Sequence, residues 1–243
     1  MSKILYIDCS ISGISGDMTL AALYDLGVDI EEIEKKIQAF PIETFKIEKS
    51  QVVKKGISSK KIDVVIMEDV KKVNHRHYSH IKDMIEQSAI TETAKEYAIK
   101  IFEHIAIAEA KIHNTTMEKV HFHEVGAVDS IVDIVGTAIA LDVLGVEKVV
   151  SSPVVVGNGK ISIDHGRYPV PAPATLELLT GIPIESTDVK GELTTPTGAG
   201  ILRGMVSEFG PIPSMVAEKI GYGAGSKEFP THPNVLRMIL GTA

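Results

Sequence analysis

The chain has 243 residues, 44% of which are hydrophobic, and a formal net charge of −7 at pH 7. This length suffices for one large core or two small ones. The negative charge argues against nucleic acid as a partner, because phosphate backbones bind basic surfaces. A single cysteine, Cys9, excludes an internal disulfide and is typical of a reducing compartment. No stretch is apolar enough to span a bilayer, and the N-terminal run is too short for a signal peptide. We therefore expect a soluble cytoplasmic protein without a membrane partner.

The first third of the chain predicts strands and helices in alternation. Gly27 is placed to end a first helix, Asp29 to cap a second, and Lys55 with Gly56 to turn a hairpin. The predicted elements are, in order, a strand over 3–9, helices over 17–26 and 30–40, and antiparallel strands over 45–53 and 57–66.

The middle of the chain predicts the helices that form the core. Segment 68–80 is polar and loop-like, and helices are expected over 81–88 and 93–113. Residues 128–144 are apolar nearly all round, which indicates a central helix. Its small and polar positions form one stripe, made of Asp129, Asp133, Gly136 and Ala140.

From Lys148 onward, strands alternate with loops rich in Pro and Gly, with helices expected over 171–179 and 199–209 and a final strand over 234–240. We predict an α/β or α+β fold in which a mixed sheet is flanked by helices, one of them the central apolar helix. The whole chain, 1–243, is interpreted as one module, with a subdivision near 145–152 left open.

Segment 120–136 is the most informative, because two histidines, a glutamate and two aspartates interrupt an apolar run. On a strand, His121 and His123 point to the same side. On a helix, Asp129 and Asp133 stand one turn apart. Imidazoles beside carboxylates, Glu124 included, suit nickel, zinc or copper. The alternative is structural: hydrogen-bonded histidines at a strand end and an aspartate favoured by the helix macrodipole.

A second group of histidines lies at 75–80. His75 and His77 share a face if the segment is extended, and His77 and His80 share one if it is helical. Three histidines in six residues favour metal capture, with a solvated loop before a helix as the alternative.

Two loops that precede helices are candidates for binding an anion. Ser15, Gly16 and Asp17 follow the first strand, where glycines and a helix start allow backbone amides to approach a ligand. A plain tight connection explains that loop equally well. The other candidate is the helix start with the hydroxyls and glycine Thr194, Thr195, Thr197 and Gly198, for which ordinary capping with Pro196 in the first turn is the alternative.

Five motifs together resemble the LarC family of nickel-insertion proteins. In chain order they are Ile14-Ser15-Gly16-Asp17-Met18, His121-Phe122-His123-Glu124-Val125-Gly126-Ala127-Val128-Asp129, Pro169-Val170-Pro171-Ala172-Pro173-Ala174-Thr175, Gly191-Glu192-Leu193-Thr194-Thr195-Pro196-Thr197-Gly198 and Gly221-Tyr222-Gly223-Ala224-Gly225. The resemblance covers nearly the whole chain. It implies insertion of nickel into pyridinium-3,5-bisthiocarboxylic acid mononucleotide, a step of nickel-pincer cofactor biosynthesis. It also implies dependence on CTP, bound by a C-terminal module, and this chain then corresponds to the N-terminal module.

Residue roles follow from joining this resemblance to the motifs. The expected nickel ligands are His121, His123, His75 and His77. The expected catalytic carboxylates are Glu124, Asp129 and Asp133. The two helix starts named above are expected to bind the mononucleotide. A metal-dependent hydrolase and a non-catalytic nickel carrier are the competing hypotheses, and a homo-oligomer is left open.

Overall fold

The computed structural model describes residues 2–67, 76–122, 125–163 and 166–243. Within these ranges the helices are α1 (Gly16–Asp25), α2 (Ile30–Gln38), α3 (Tyr78–Glu86), α4 (Glu92–Ile112), α5 (Val128–Leu144), α6 (Pro173–Leu178) and α7 (Pro196–Met205). The strands are β1 (Lys3–Asp8), β2 (Phe45–Lys54), β3 (Ile57–Ile66), β4 (Arg76–His77), β5 (His121–Phe122), β6 (Lys148–Ser151), β7 (Val154–Val155), β8 (Gly157–Asn158), β9 (Lys160–Ile163), β10 (Gly166–Pro169), β11 (Ile184–Glu185), β12 (Gly191–Glu192), β13 (Glu208–Phe209), β14 (Val216–Ala224) and β15 (Val235–Thr242).

A seven-stranded mixed sheet organises the fold, in the order β13-β6-β1-β15-β14-β3-β2. β1 runs parallel to β6 and antiparallel to β15, which also pairs antiparallel with β14. β3 joins β14 in parallel and forms the expected antiparallel hairpin with β2. The predicted mixed sheet is therefore confirmed.

The helices pack against one face of this sheet. Alternate residues of β1, Leu5 and Ile7, lie in the main core with the helices, whereas Ile4 and Tyr6 belong to a small cluster on the opposite face. Helix α5 is buried continuously from Ile131 to Leu141 and contacts α1, α2, α4 and α7. This confirms the prediction of a central apolar helix.

Several predicted boundaries are wrong, each for a local reason. Segment 76–80 is not loop, because 76–77 pairs as β4 and α3 begins at Tyr78. The last predicted helix starts and ends earlier: Thr195 caps α7 and Pro196 occupies its first turn, while β13 adds to the sheet beside β6. Helix α6 begins only at Pro173.

The segment that begins at His121 has a short strand and a turn among its described residues. β5 covers His121 and Phe122, and Val125 and Gly126 form a turn. A Cβ at Gly126 would lie 2.8 Å from the carbonyl oxygen of Phe122, so the turn folds back too closely for a side chain there. Among the described residues, no helix has the length and apolar character needed to cross a membrane.

Candidate functional site

Three helices begin at one cavity of about 550 Å³. Its walls come from the starts of α1, α5 and α7, from β3, from Val125 in the turn before α5, from Asp133 on α5 and from Glu192 on β12. The lining residues are Ser15, Gly16, Asp17, Ile62, Asp63, Val64, Val125, Ala127, Asp129, Ser130, Asp133, Glu192, Thr195, Pro196 and Thr197. Most residues of the two helix starts expected to bind an anion therefore meet the two expected aspartates.

Helix N-termini present unpaired N–H groups and the positive end of the macrodipole. Neither Ser15 nor Ala127, the capping residues of α1 and α5, uses its side chain to cap its helix. Amides of this kind favour anions, including phosphate groups, whereas the carboxylates that line the same cavity oppose them.

The stripe predicted on α5 faces α1. A side chain at Gly16 would collide with the carboxylate of Asp133, and a Cβ at Gly136 would lie 3.0 Å from Leu20 Cδ1. Small residues at matched positions therefore let the two helices approach closely and bring Asp133 against the start of α1.

Asp133 is a buried carboxyl group at the cavity wall. It is 8% exposed, and its Oδ1 has no hydrogen-bond partner among the described residues. Burial raises its pKa well above the usual range, and the neighbouring carboxylates of Asp17 and Asp129 raise it further. Burying this carboxyl group without a hydrogen-bond partner for Oδ1 therefore destabilises the folded protein.

Asp17 has a partial compensation. Burial raises its pKa, while the hydroxyl of Ser15 donates a hydrogen bond to its Oδ1 and works in the opposite direction. Lys61 also lowers this pKa from a distance, but its ammonium group is paired with Asp63.

Asp129 is exposed and marks the solvent side of the cavity. Its Oδ1 accepts the backbone N–H of Ser130 at 2.8 Å. Thr197 in turn donates to the Ser130 hydroxyl at 3.4 Å, which connects the starts of α5 and α7. Asp129 and Asp133 thus line one cavity, with one at the surface and the other in the interior.

The start of α7 combines capping with cavity lining. Thr195 Oγ1 accepts the N–H of Gly198 at 3.2 Å, as the capping interpretation predicts. Thr194 is fully buried and donates to the carbonyl oxygen of Val155 at 2.7 Å, and Gly198 packs against the backbone of Ile14. Thr194 and Gly198 therefore hold the turn in place and are not among the lining residues of the cavity, and the ligand contact predicted for them stays a prediction.

The histidines meet across two strands. His77 on β4 pairs with His121 on β5, and their ring centroids are 3.9 Å apart. His80, one turn into α3, packs edge-on against His77 with centroids 5.2 Å apart. His77 Nδ1 is buried and has no hydrogen-bond partner among the described residues. The predicted partners His75, His123 and Glu124 lie outside those residues.

A buried ion pair anchors this histidine cluster of His77, His80 and His121. Arg76 is paired with Glu43, and both side chains are less than a tenth exposed. Arg76 Nη1 also donates to the carbonyl oxygen of Gly126 at 2.7 Å. One guanidinium group therefore ties β4 to the turn that follows β5.

The same turn links the cluster to the cavity. Val125 lines the cavity and lies four positions after His121. A fully extended chain covers at most about 3.6 Å per residue, so their Cα atoms are no more than about 14 Å apart.

The described residues contain no group of three or more His, Cys, Asp or Glu side chains arranged to hold a metal ion. His77 and His121 can supply two ligands to a metal site. The described carboxylates of the cavity are likewise not arranged as a three-ligand metal site. Among the described residues, Asp129 and Asp133 line the cavity, whereas His121 lies on β5 and is not part of its lining.

Three polar residues of these sites were not predicted as site residues: Asp63, Ser130 and Glu192. His80 belonged to the histidine group that favours metal capture but was not among the expected nickel ligands. Asp63 had no sequence signal, because nothing in the hairpin pattern shows that β3 lies beside the start of α1.

The family model described as nickel insertion protein matches residues 5–243. The chain is 53% identical to the pyridinium-3,5-bisthiocarboxylic acid mononucleotide nickel insertion protein of Geobacillus kaustophilus, over 98% of this chain and 60% of that protein. It is 52% identical to the protein of that name in Staphylococcus epidermidis, over 98% and 59%. It is 47% identical to the putative nickel insertion protein of a Geobacter species, over 98% of this chain and 61% of that protein.

The chain thus spans about 60% of the length of the curated relatives it matches. No solved structure matches it.

Proposed function

The chain belongs to the nickel insertion protein family, and we propose that it binds nickel as cargo and presents it to pyridinium-3,5-bisthiocarboxylic acid mononucleotide. The observation that carries this proposal is the linkage of two sites by one turn. The histidine cluster lies on the N-terminal side of the turn at residues 125–127. Val125 and Ala127 of that segment line the cavity at the three helix starts.

The histidine cluster supplies the nickel ligands in this proposal. Neutral imidazole suits nickel, and His77 and His121 are already paired across β4 and β5. His80 is adjacent, and His75 and His123 complete the proposed ligand set. A protein that must release its metal is better served by imidazoles than by a set of thiolates, which bind soft and borderline metals tightly.

The cavity receives the mononucleotide. Its phosphate group is placed at the starts of α1, α5 and α7, where backbone N–H groups are available. The pyridinium ring with its two thiocarboxylates then extends toward Asp129 and Val125, the side from which nickel arrives.

A proton acceptor is needed when a carbon–nickel bond replaces a carbon–hydrogen bond. Asp129 lies at the exposed end of the cavity. In this proposal its carboxylate lies beside the pyridinium ring and accepts the proton. Glu124 remains in the proposal as a second acceptor. CTP and a C-terminal module that binds it are proposed as partners, as the resemblance to the LarC family implies.

The test is nickel binding by calorimetry with paired histidine variants. We expect His77→Ala with His121→Ala, and His121→Ala with His123→Ala, to lower nickel affinity at least ~10-fold, since loss of metal ligands costs more than the 10–100-fold typical of their supporting groups. His104→Ala on α4, outside the cluster, is the matched control and should bind like the unmodified chain. Unchanged affinity in both double variants would remove the histidines from the proposal.

A further inference from the structure

The cavity offers only oxygen donors. Among the described residues that line it none is Lys, Arg or His. Its polar side chains are hydroxyl groups and carboxyl groups, the latter from Asp17, Asp63, Asp129, Asp133 and Glu192. Oxygen donors of this kind suit Mg²⁺, Ca²⁺ and Mn²⁺ better than they suit nickel, for which the histidine cluster is the more fitting partner.

The helix starts and the carboxylates of this cavity have opposite effects on a bound phosphate group. Three helix starts favour an anion, yet a phosphate group placed there would lie among several carboxylates that repel it. A divalent cation between the phosphate and the carboxylates removes both the repulsion and the cost of burying the acids.

Asp133 shows where such a cation belongs. Its side chain is more than nine-tenths buried, lines the cavity, and keeps Oδ1 without a hydrogen-bond partner among the described residues. The start of α1 with Asp17 lies against it, because Gly16 has no side chain and the carboxylate of Asp133 packs into the space beside it. A buried acceptor without a donor is the feature that a cation ligand would have before binding.

We propose that this cavity holds a hard divalent cation of the Mg²⁺ type between Asp133 and Asp17, shared with the phosphate group of the bound mononucleotide. The identity of the phosphate compound rests on the proposed function. Mg²⁺ is commonly bound by one or two carboxylates together with substrate phosphates and waters. This agrees with the lack of a three-ligand side-chain site among the described residues. The cation and the mononucleotide therefore bind together, and each binds weakly alone.

The test uses Mn²⁺ as a paramagnetic substitute for Mg²⁺, with free Mn²⁺ measured by electron paramagnetic resonance. The full chain is titrated with Mn²⁺, with and without nicotinic acid mononucleotide, a pyridinium mononucleotide. Mixtures without protein correct for binding of Mn²⁺ to the nucleotide. We expect the mononucleotide to raise Mn²⁺ affinity at least ~10-fold, and Asp133→Asn and Asp17→Asn each to abolish that gain.

Two controls separate this proposal from the proposed function. Asp188→Asn, an exposed carboxylate that does not line the cavity, should keep the gain. The His77→Ala, His121→Ala variant should also keep it while losing nickel affinity. Mn²⁺ binding that the mononucleotide does not strengthen, or a gain that survives both Asp133→Asn and Asp17→Asn, would overturn the cation site and leave the nickel result standing.

Discussion

The carboxyl group of Asp133 lies in the interior beside two other acids, and nothing in the described part of the chain donates a hydrogen bond to its Oδ1. A position of this kind lowers stability in the free protein. The cation proposed for this cavity would offset that cost when it is bound. The sequence predicted Asp133 as a site residue from its place on an otherwise apolar helix, but it did not show that Gly16 would be the neighbour.

Replacing Asp133 with Asn should stabilise the free protein at neutral pH. Burial raises the folded-state pKa of Asp133 above the ordinary aspartate value of 3.8, so below that value the carboxyl group is protonated in both states and has no effect on stability. As pH rises from 3.8 through the folded-state pKa, the unfolded chain releases a proton that the folded chain keeps, and unfolding becomes easier. We expect Asp133→Asn to gain about 1 kcal/mol at pH 7, or roughly 2–4 °C in Tm, and little at pH 4.

Urea unfolding in metal-free buffer at the two pH values measures this difference, with Asp188→Asn as the exposed control. An Asn variant that is less stable than the parent chain at pH 7, or whose gain is equal at pH 4, would contradict the account of Asp133.

At the scale of elements, β4 and β5 have two residues each and depend on their neighbours for stability. The histidine pair therefore relies on the Arg76–Glu43 pair and on the bond from Arg76 to Gly126. The sequence identified both histidine segments but interpreted them separately, because periodicity describes one strand and is silent about which strands pair. Cross-strand pairing of His77 with His121 was for that reason not predicted.

The Arg76–Glu43 pair should behave as a unit. Removing one partner leaves a buried charge without compensation, so we expect Arg76→Met and Glu43→Leu each to lower the free energy of unfolding by about 3–5 kcal/mol. The double variant should lose less than the sum, with a coupling energy of about 1–3 kcal/mol. Strictly additive losses in a urea double-mutant cycle would show that the pair does not anchor β4.

At the scale of the molecule, the cavity assembles helix starts that are far apart in the chain, at 16, 128 and 196. The local sequence predicted site residues at each of the three helix starts. Their meeting could not be predicted, because it depends on the order of the mixed sheet and on α5 packing against both α1 and α7. Hydrophobic periodicity predicts where helices form and which of their faces are buried. The strand order depends on long-range pairing, which no local sequence pattern predicts.

If the proposed function holds, the histidine cluster and the cavity of this chain should suffice for binding but not for repeated turnover. No lysine is among the described residues that line the cavity, and the proposal assigns the binding of CTP to another module. We expect the chain with nickel and the bisthiocarboxylate mononucleotide to yield at most about one nickel-containing product per chain, a stoichiometric transfer from the histidine cluster. Adding CTP and the C-terminal part of a curated relative should give many products per chain, counted by mass spectrometry, with the full-length Geobacillus protein as the positive control. Repeated turnover by the isolated chain without CTP would mean that the 60% of the relatives' length represented here already contains the complete catalytic unit.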